Sequence, residues 1–412
     1  AVRERYAAGN ATRDELLEAE LAAYHAPGTC TFYGTANTNQ LLMEALGLHV
    51  PGSAFVSPGS KLRHALTDEA ARLLIENTTQ GGHYLPLGEQ INAKALINGA
   101  VAILSSGGST NHTLHLPAIA RAAGYELLWE DLAALSKVVP LLAHVYPSGV
   151  ADVNQFHAAG GVGWLFAQLL DAGLMHSDVY TIAGRGLDRY TREPYLQTGR
   201  LCWRNIAISP LEKDILRPVI APFATHSGLH MVTGNLGRAV IKTSAVQERY
   251  WSIKAPARVF DCEADALEAY DKGRLNGDLI MVVRFQGPAA NGMPELHKLM
   301  PILANLQAKG QKVALVTDGR LSGASGKVLA AIHLTPEAAK GGPLSRVQDG
   351  DILEIDAKHD CLQLHLAEQE FAQRPTVQAP RNATAGYGLQ LFAAQRRSVG
   401  PADQGASFLI ED

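Results

Sequence analysis

Cysteine is scarce in this chain of 412 residues: Cys30, Cys202, Cys262 and Cys361 are all it has, with no Cys-x-x-Cys pair among them. That excludes a disulfide-built scaffold and a zinc ribbon, and it points to a reducing compartment, the cytoplasm. Charge is scarce as well. Asp, Glu, Lys and Arg make up 18% of the chain and the net charge is −4, so no long-range field recruits nucleic acid or an acidic membrane. No apolar run approaches the roughly 20 residues of a membrane span; the candidate Ala95–Leu104 is short and interrupted by Asn98. The opening AVRERYAAGN carries charge where a secretory signal carries its apolar core. The 15 histidines include no His-Glu-x-x-His spacing, which is weak ground for zinc. No period of about 20–50 residues recurs, which argues against a solenoid.

What the chain has in quantity is apolar side chains, 47%, and glycine, 39 residues. A disordered chain is polar and charge-rich; this one has the makings of two or three domains with large interiors and tight loops. Thr12 and Glu15 have the spacing of a capping box in front of ELLEAELAAY. That helix stops before Pro27, and HAPGTCTFYGTANTNQ reads as a polar loop. LLMEALGL returns to helical periodicity. Thr67 is placed to cap DEAARLLIENT, and EQINAKALINGAVAIL reads as a buried helix. SSGGSTNHT is a loop feeding LHLPAIARAAG, where Pro117 belongs near a helix start. From Ile206 the texture changes: SPLEKDILRPVIAPFATHSG carries three prolines and little periodicity, the best domain boundary in the chain. Beyond it the strand-like runs HMVT, RAVIKTSAV, ARVF, DLIMVVRF, KVALVTD and DILEID alternate with helical segments. DLIMVVRF, a helix and KVALVTD predict a βαβ unit with a parallel pair.

Parallel-sheet enzymes place their sites at the carboxyl ends of strands. QGPAANGMPELHK and GRLSGASGKV occupy that position, which would bring Glu295 and Ser322 into one neighbourhood. Glu295 suits a hard divalent cation; by spacing alone it belongs first to the opening turn of a helix, where the dipole favours a carboxylate. DGRLSGASGK fails the P-loop pattern, with Leu321 and Val328 where Gly and Ser or Thr are needed. Its small residues can still cradle an anion beside Lys327. Ser322 lacks a Gly-x-Ser-x-Gly setting and can also be a turn serine. Ser109, Thr110 and Asn111 stand just before a helix, where they serve an anion or simple capping. Cys30, in a loop of small polar residues, reads as a ligand or a small buried hydrophobe; alone it cannot hold an iron–sulfur cluster.

Taken together and in order, PGTCTFYGTANTNQ, GGSTNHTLHLPAIARAAG, GPAANGMPELHKLMP and LVTDGRLSGASGKVLAAIHLTPEA resemble the dihydroxy-acid/6-phosphogluconate dehydratase family. GNLGRAVIKTSAV and VQDGDILEI extend the resemblance over essentially the whole chain. Thr31-Phe32-Tyr33-Gly34 and Ser325-Gly326-Lys327 resemble the branch acting on a phosphorylated sugar acid, where the branched-chain amino-acid enzymes carry Gly-Gly-Met and Thr-His-Gly.

The resemblance implies an α/β fold: an incomplete N-terminal α/β domain, 1–217, followed by a C-terminal swivelling β/β/α domain, 218–412. It implies a hydro-lyase that removes water from a 2,3-dihydroxy acid, here 6-phospho-D-gluconate, in the Entner–Doudoroff pathway. The cofactors it implies are an iron–sulfur cluster, 4Fe–4S in preference to 2Fe–2S, and Mg2+. Cys30 matches a cluster ligand, Glu295 a magnesium ligand and Ser322 the base that takes the C2 proton. Arg320, Ser109, Thr110 and Asn111 match the substrate site. Ser325, Gly326 and Lys327 are assigned here to the 6-phosphate, because a non-phosphorylated acid needs no such cation. Family members carry a further portion ahead of Pro-Gly-Thr-Cys, with more cluster cysteines and magnesium aspartates. On that comparison this chain begins inside the first domain and is expected to lack ligands, so that alone it is inactive. A homodimer is expected, with neither nucleic acid nor membrane as partner. The competing readings are a dehydratase of a non-phosphorylated aldonic or branched dihydroxy acid, and a non-catalytic fragment.

Overall fold

The computed structural model describes residues 2–7, 9–22, 30–206, 212–322, 326–380 and 387–409. The mixed α/β, two-part organisation expected from the sequence is present, and each part follows from its apolar pattern.

The first part is a helical layer. Helices Thr35–Ala45, Ala93–Ser105, His112–Ala122, Trp129–Val138 and Gly161–Asp171 enclose a core built on Tyr33, Leu41, Leu42, Val101, Phe156, Trp164 and Phe166. The Ala93–Ser105 helix is buried almost all round, which a helix apolar on every face must be. The Thr12–Glu15 capping box forms: the Glu15 amide donates to Thr12 Oγ1 at 3.2 Å and the Thr12 amide to Glu15 Oε2 at 2.7 Å.

Three local expectations need correction. The Thr35–Ala45 helix starts within the stretch read as loop, because Thr and Asn tolerate a first turn when tertiary packing fixes it. The Lys61–Glu76 helix is capped by Ser60, which accepts from the Arg63 amide; Thr67 lies inside it and bonds back to Arg63 O at 2.9 Å. Pro117 sits well inside the His112–Ala122 helix rather than at its start. Proline offers no N–H to the carbonyl four residues before it, and that carbonyl, Thr113 O, instead accepts from Trp129 Nε1 at 2.8 Å.

The second part is a closed barrel. Its strands are β1 (Leu229–Gly234), β2 (Gly237–Lys242), β3 (Ser252–Phe260), β4 (Leu279–Val283), β5 (Val313–Thr317), β6 (Leu329–Thr335), β7 (Ile352–Asp356) and β8 (Cys361–Leu364). They pair in the cyclic order β6-β2-β1-β8-β7-β3-β4-β5. The β3–β4, β4–β5 and β5–β6 pairs are parallel, so the βαβ unit expected from DLIMVVRF and KVALVTD exists. Every residue of β4 and β5 is buried, as parallel strands covered on both faces require. Alternation sorts them: Ile280, Val282, Ala314 and Val316 fill the barrel. Leu279, Met281, Val283, Val313 and Leu315 meet the Leu299–Ala308 helix outside it. On β2, Ala239 and Ile241 point inward, while Val240 joins the core of the helical part. The barrel therefore docks through the outer face of the β1–β2 hairpin.

Trp129 is 2% exposed, so replacing it by Phe leaves Thr113 O buried without a donor. Trp129→Phe is expected to lower unfolding stability by about 1–3 kcal/mol, read from urea midpoints; an unchanged midpoint would contradict this account of Pro117.

Candidate functional site

The two loops expected to meet do meet. After β4 the chain passes through Arg284, Phe285 and Gln286; after β5 it passes through Asp318, Gly319 and Arg320. Asp318 is wholly buried and accepts from the amides of Gln286 (2.8 Å), Phe285 (3.2 Å) and Ala338 (3.0 Å), clamping the first turns of both loops. Gly319 has no room for a side chain, since a Cβ would lie 2.7 Å from Gln286 Cβ. Farther out, Glu295 and Arg320 form a parallel bridge, with the Leu296 amide on Arg320 O at 3.0 Å. Arg320 Nη1 donates to Glu295 Oε1 at 2.8 Å and Nε to Met293 O at 2.7 Å. Glu295 is thus not in the first turn of its helix, which begins at Leu299; its carboxylate is half-buried against a guanidinium.

Across the seam stands the Ser109–Asn111 loop. Asn111 is fully buried, and its Nδ2 donates to Thr35 Oγ1 at 2.9 Å and to Leu321 O at 3.0 Å. This places the loop against the residue preceding Ser322. Ser109 Oγ lies 3.0 Å from Thr35 Oγ1 and the Ser109 amide donates to Thr38 Oγ1 at 3.0 Å. The first amides of the following helix are turned inward: His112 N, Thr113 N and Leu114 N bond Ser109 O, Thr110 O and Asn111 O. The Thr35 turn also reaches Cys30, because Asn37 Nδ2 donates to Cys30 O at 2.8 Å and Phe32 O at 2.6 Å.

Phe32 packs on Tyr146 with ring centroids 5.6 Å apart. Lys327 Nζ lies 5.9 Å from the Tyr146 ring centroid, and a Cβ on Gly326 would stand 3.3 Å from Pro147. The Lys327 segment and the Cys30 loop therefore approach the same aromatic pair. Ser325 lies outside the described residues, as do the first three residues of the Pro-Gly-Thr-Cys motif.

Burial, and after it the Arg320 charge, lowers the His115 pKa. Burial, with Arg320 and then His115, takes His333 down to about 3. Burial and His115 take His112 to about 3. His112 and His333 are neutral at pH 7, and the charge beside them is that of Arg320, paired with Glu295. His333 faces this cluster because β6 is irregular against β2 between Ile332 and Thr335. There His333 takes a φ of +58° and its Nδ1 comes within 3.1 Å of Thr113 Oγ1. An irregular ladder re-aims a side chain in this way.

The metal groups implied by the resemblance do not find a complete ligand set here. Among the described residues no three His, Cys, Asp or Glu side chains converge as a metal site. Cys30 is exposed and unpaired, its thiol donating to Phe32 O at 3.9 Å. Glu295 offers one carboxylate, engaged by Arg320.

Comparison with known proteins shows the family. Residues 1–190 match the model for the dihydroxy-acid/6-phosphogluconate dehydratase N-terminal region, and residues 214–406 match the C-terminal one. The chain belongs to the dihydroxy-acid/6-phosphogluconate dehydratase family. It is 54% identical over 411 residues to a phosphogluconate dehydratase of Pseudomonas aeruginosa, covering 100% of this chain and 68% of the relative. It is 52% identical over 407 residues to that of Escherichia coli (strain K12), covering 98% and 68%. A dihydroxy-acid dehydratase of Ignicoccus hospitalis is 35% identical over 373 residues, covering 89% and 64%. The chain thus spans about two-thirds of the length of these family members.

Sequence reasoning missed Asp318, Thr35, Tyr146, His333 and Lys242. Asp318 had a legible signal, a carboxylate directly after an apolar strand; Tyr146 had none, since its role depends on a contact across the seam. Burial first, then the neighbouring Glu337 charge, outweighs the amide donors and pushes the Asp318 carboxyl up to about 6. A raised folded-state pKa means that the folded protein holds the extra proton between about pH 4 and pH 6. Stability is then fully present below that window and falls as pH rises through it. Asp318→Asn should flatten the dependence of the urea midpoint on pH between about 4 and 6; an unaltered slope would contradict the assignment.

Proposed function

We propose that this protein takes 6-phospho-D-gluconate as substrate and eliminates water from it, giving 2-dehydro-3-deoxy-6-phospho-D-gluconate, as a hydro-lyase of the Entner–Doudoroff pathway. Its supports are family membership, the relatives named phosphogluconate dehydratase, and one geometric observation. Asn111 ties the Ser109–Asn111 loop to Leu321 across the seam, so that residues from both parts face one site.

In this scheme Ser322 accepts the proton from C2, the C3–O bond breaks and the departing hydroxide takes up a proton to become water, and the resulting enol gains a proton at C3 as its C2 hydroxyl gives one up, yielding the 2-keto acid. A proton beside a carboxylate is weakly acidic, so the base needs stabilisation of the enediolate, and hydroxide needs help to leave. An iron–sulfur cluster, 4Fe–4S, and Mg2+ supply that chemistry when bound, with Cys30 and Glu295 each contributing one ligand. The described residues complete neither set, and the roles below belong to the chain itself. Arg320, Ser109, Thr110 and Asn111 orient the acid end. Ser325, Gly326 and Lys327 receive the 6-phosphate, with Lys327 exposed beside Tyr146 and near enough to the Cys30 loop for one extended ligand to reach both. The protein works in the cytoplasm as a homodimer.

Binding separates the phosphorylated from the non-phosphorylated reading. Calorimetric titration should show 6-phospho-D-gluconate binding at least tenfold tighter than D-gluconate. Lys327→Ala should weaken the phosphorylated acid tenfold or more and leave D-gluconate within about twofold. Equal loss for both acids would remove Lys327 from the phosphate. Iron and sulfide analysis after purification without oxygen, with 2-keto acid formation measured on the same sample, tests the catalytic claim. Absence of cluster together with absence of turnover would favour a fragment that does not act alone.

A further inference from the structure

Lys242 ends β2, four residues after Arg238 in RAVIKTSAV. The twofold alternation that turns Val240 toward the helical part turns Lys242 the same way, across the seam. Its Nζ donates to Gly107 O at 2.5 Å and Gly108 O at 2.9 Å. Among the described residues no carboxylate pairs with it, and it lines a cavity with Ile103, Leu104, Leu132 and Leu229. Lys242 is part-buried, and an ammonium drawn partly out of water without a counter-charge carries a desolvation cost. Burial pulls its pKa down to about 8, so at pH 7 it remains largely charged and its two bonds to carbonyls are charge-assisted.

The two carbonyls belong to the turn that delivers Ser109, Thr110 and Asn111. Gly107 has a φ of +65°, and a Cβ on Gly108 would lie 2.6 Å from Thr38 Cγ2. The turn is thus pressed against Thr38 on one side, where Thr38 Oγ1 also takes the Ser109 amide. On the carbonyl side it is held from the barrel. We propose that Lys242 is a positioning residue, a strut from the barrel that fixes the Gly107–Gly108 turn and thereby the place of Ser109 and Asn111 in the site. Its consequence for ligand binding rests on the substrate reading above; the strut itself does not.

The test uses the full chain with Lys242→Ala and, to keep the apolar stem, Lys242→Met. Amide exchange in a peptide covering residues 103–113 should quicken at least tenfold in both variants, with β4 and β5 unchanged. The affinity for 6-phospho-D-gluconate should fall at least tenfold. n-Propylammonium, but not 1-propanol, should restore both in Lys242→Ala, because the missing element is a cationic donor and not bulk. Unaltered exchange in the turn in either folded variant overturns the strut. A loosened turn with wild-type affinity overturns its role in positioning the ligand site. If the wild-type protein fails to bind 6-phospho-D-gluconate, the substrate reading falls, and exchange still decides the strut: faster exchange upholds it, unaltered exchange overturns it.

Discussion

The site depends on a seam of buried polar groups that must find their partners across it. A buried donor or acceptor left unpaired costs about 1–3 kcal/mol, so each group on one side constrains the position of another on the opposite side. Asn111 Nδ2 meets Leu321 O, Lys242 meets two glycine carbonyls, His333 meets Thr113, and Ser148 meets Ser244 at 3.0 Å. The Ser136 hydroxyl, on the Trp129–Val138 helix, takes the Leu229 amide at 3.0 Å and the Ser227 hydroxyl at 2.7 Å, which anchors β1 where it enters the barrel. Apolar packing brings the two parts together; the polar pairs select the register in which they meet.

The barrel's contribution is equally physical. Because β4 and β5 are adjacent and parallel, their carboxyl ends emerge side by side, and Asp318, at the exit of β5, accepts the amides of Phe285 and Gln286 at the exit of β4. The loops that follow converge on Glu295 and Arg320. With His112 and His333 held neutral by burial, the charges left near the seam include Arg320, paired with Glu295, and the cations Lys242 and Lys327. An anionic sugar acid fits that distribution better than a neutral sugar or a cation does.

The parts of this arrangement that were legible in the sequence are those that local pattern decides. The apolar runs of β4 and β5 are too continuous for a half-exposed strand, and the helix between them implies a crossover, so the βαβ unit and the meeting of Glu295 with Ser322's loop follow. The Thr12–Glu15 capping box is legible for the same reason: both partners lie within one turn. The order of the motifs carried the family. What misled was local reasoning at places governed by distant contacts. Thr67 looked like a cap until Ser60 proved to stand there, and Glu295 looked like a first-turn carboxylate until the helix proved to begin at Leu299. Pro117 looked like a helix start because nothing nearby in sequence reveals that Trp129 Nε1 supplies the hydrogen bond that proline leaves open.

From its sequence alone, then, this protein's family, its α/β class, and the loops bearing Cys30, Ser109–Asn111, Glu295 and Arg320–Ser322 were determined. Residue type, spacing and order encode these within short windows. Only the tertiary structure decided which of those side chains meet: Asn111 reaches Leu321 over 210 positions of chain, Lys242 reaches Gly107, and Tyr146 gathers Phe32 and Lys327. Such pairings are set by how two packed bodies fit, because burial makes every unpaired polar group expensive and leaves few ways to satisfy all of them at once.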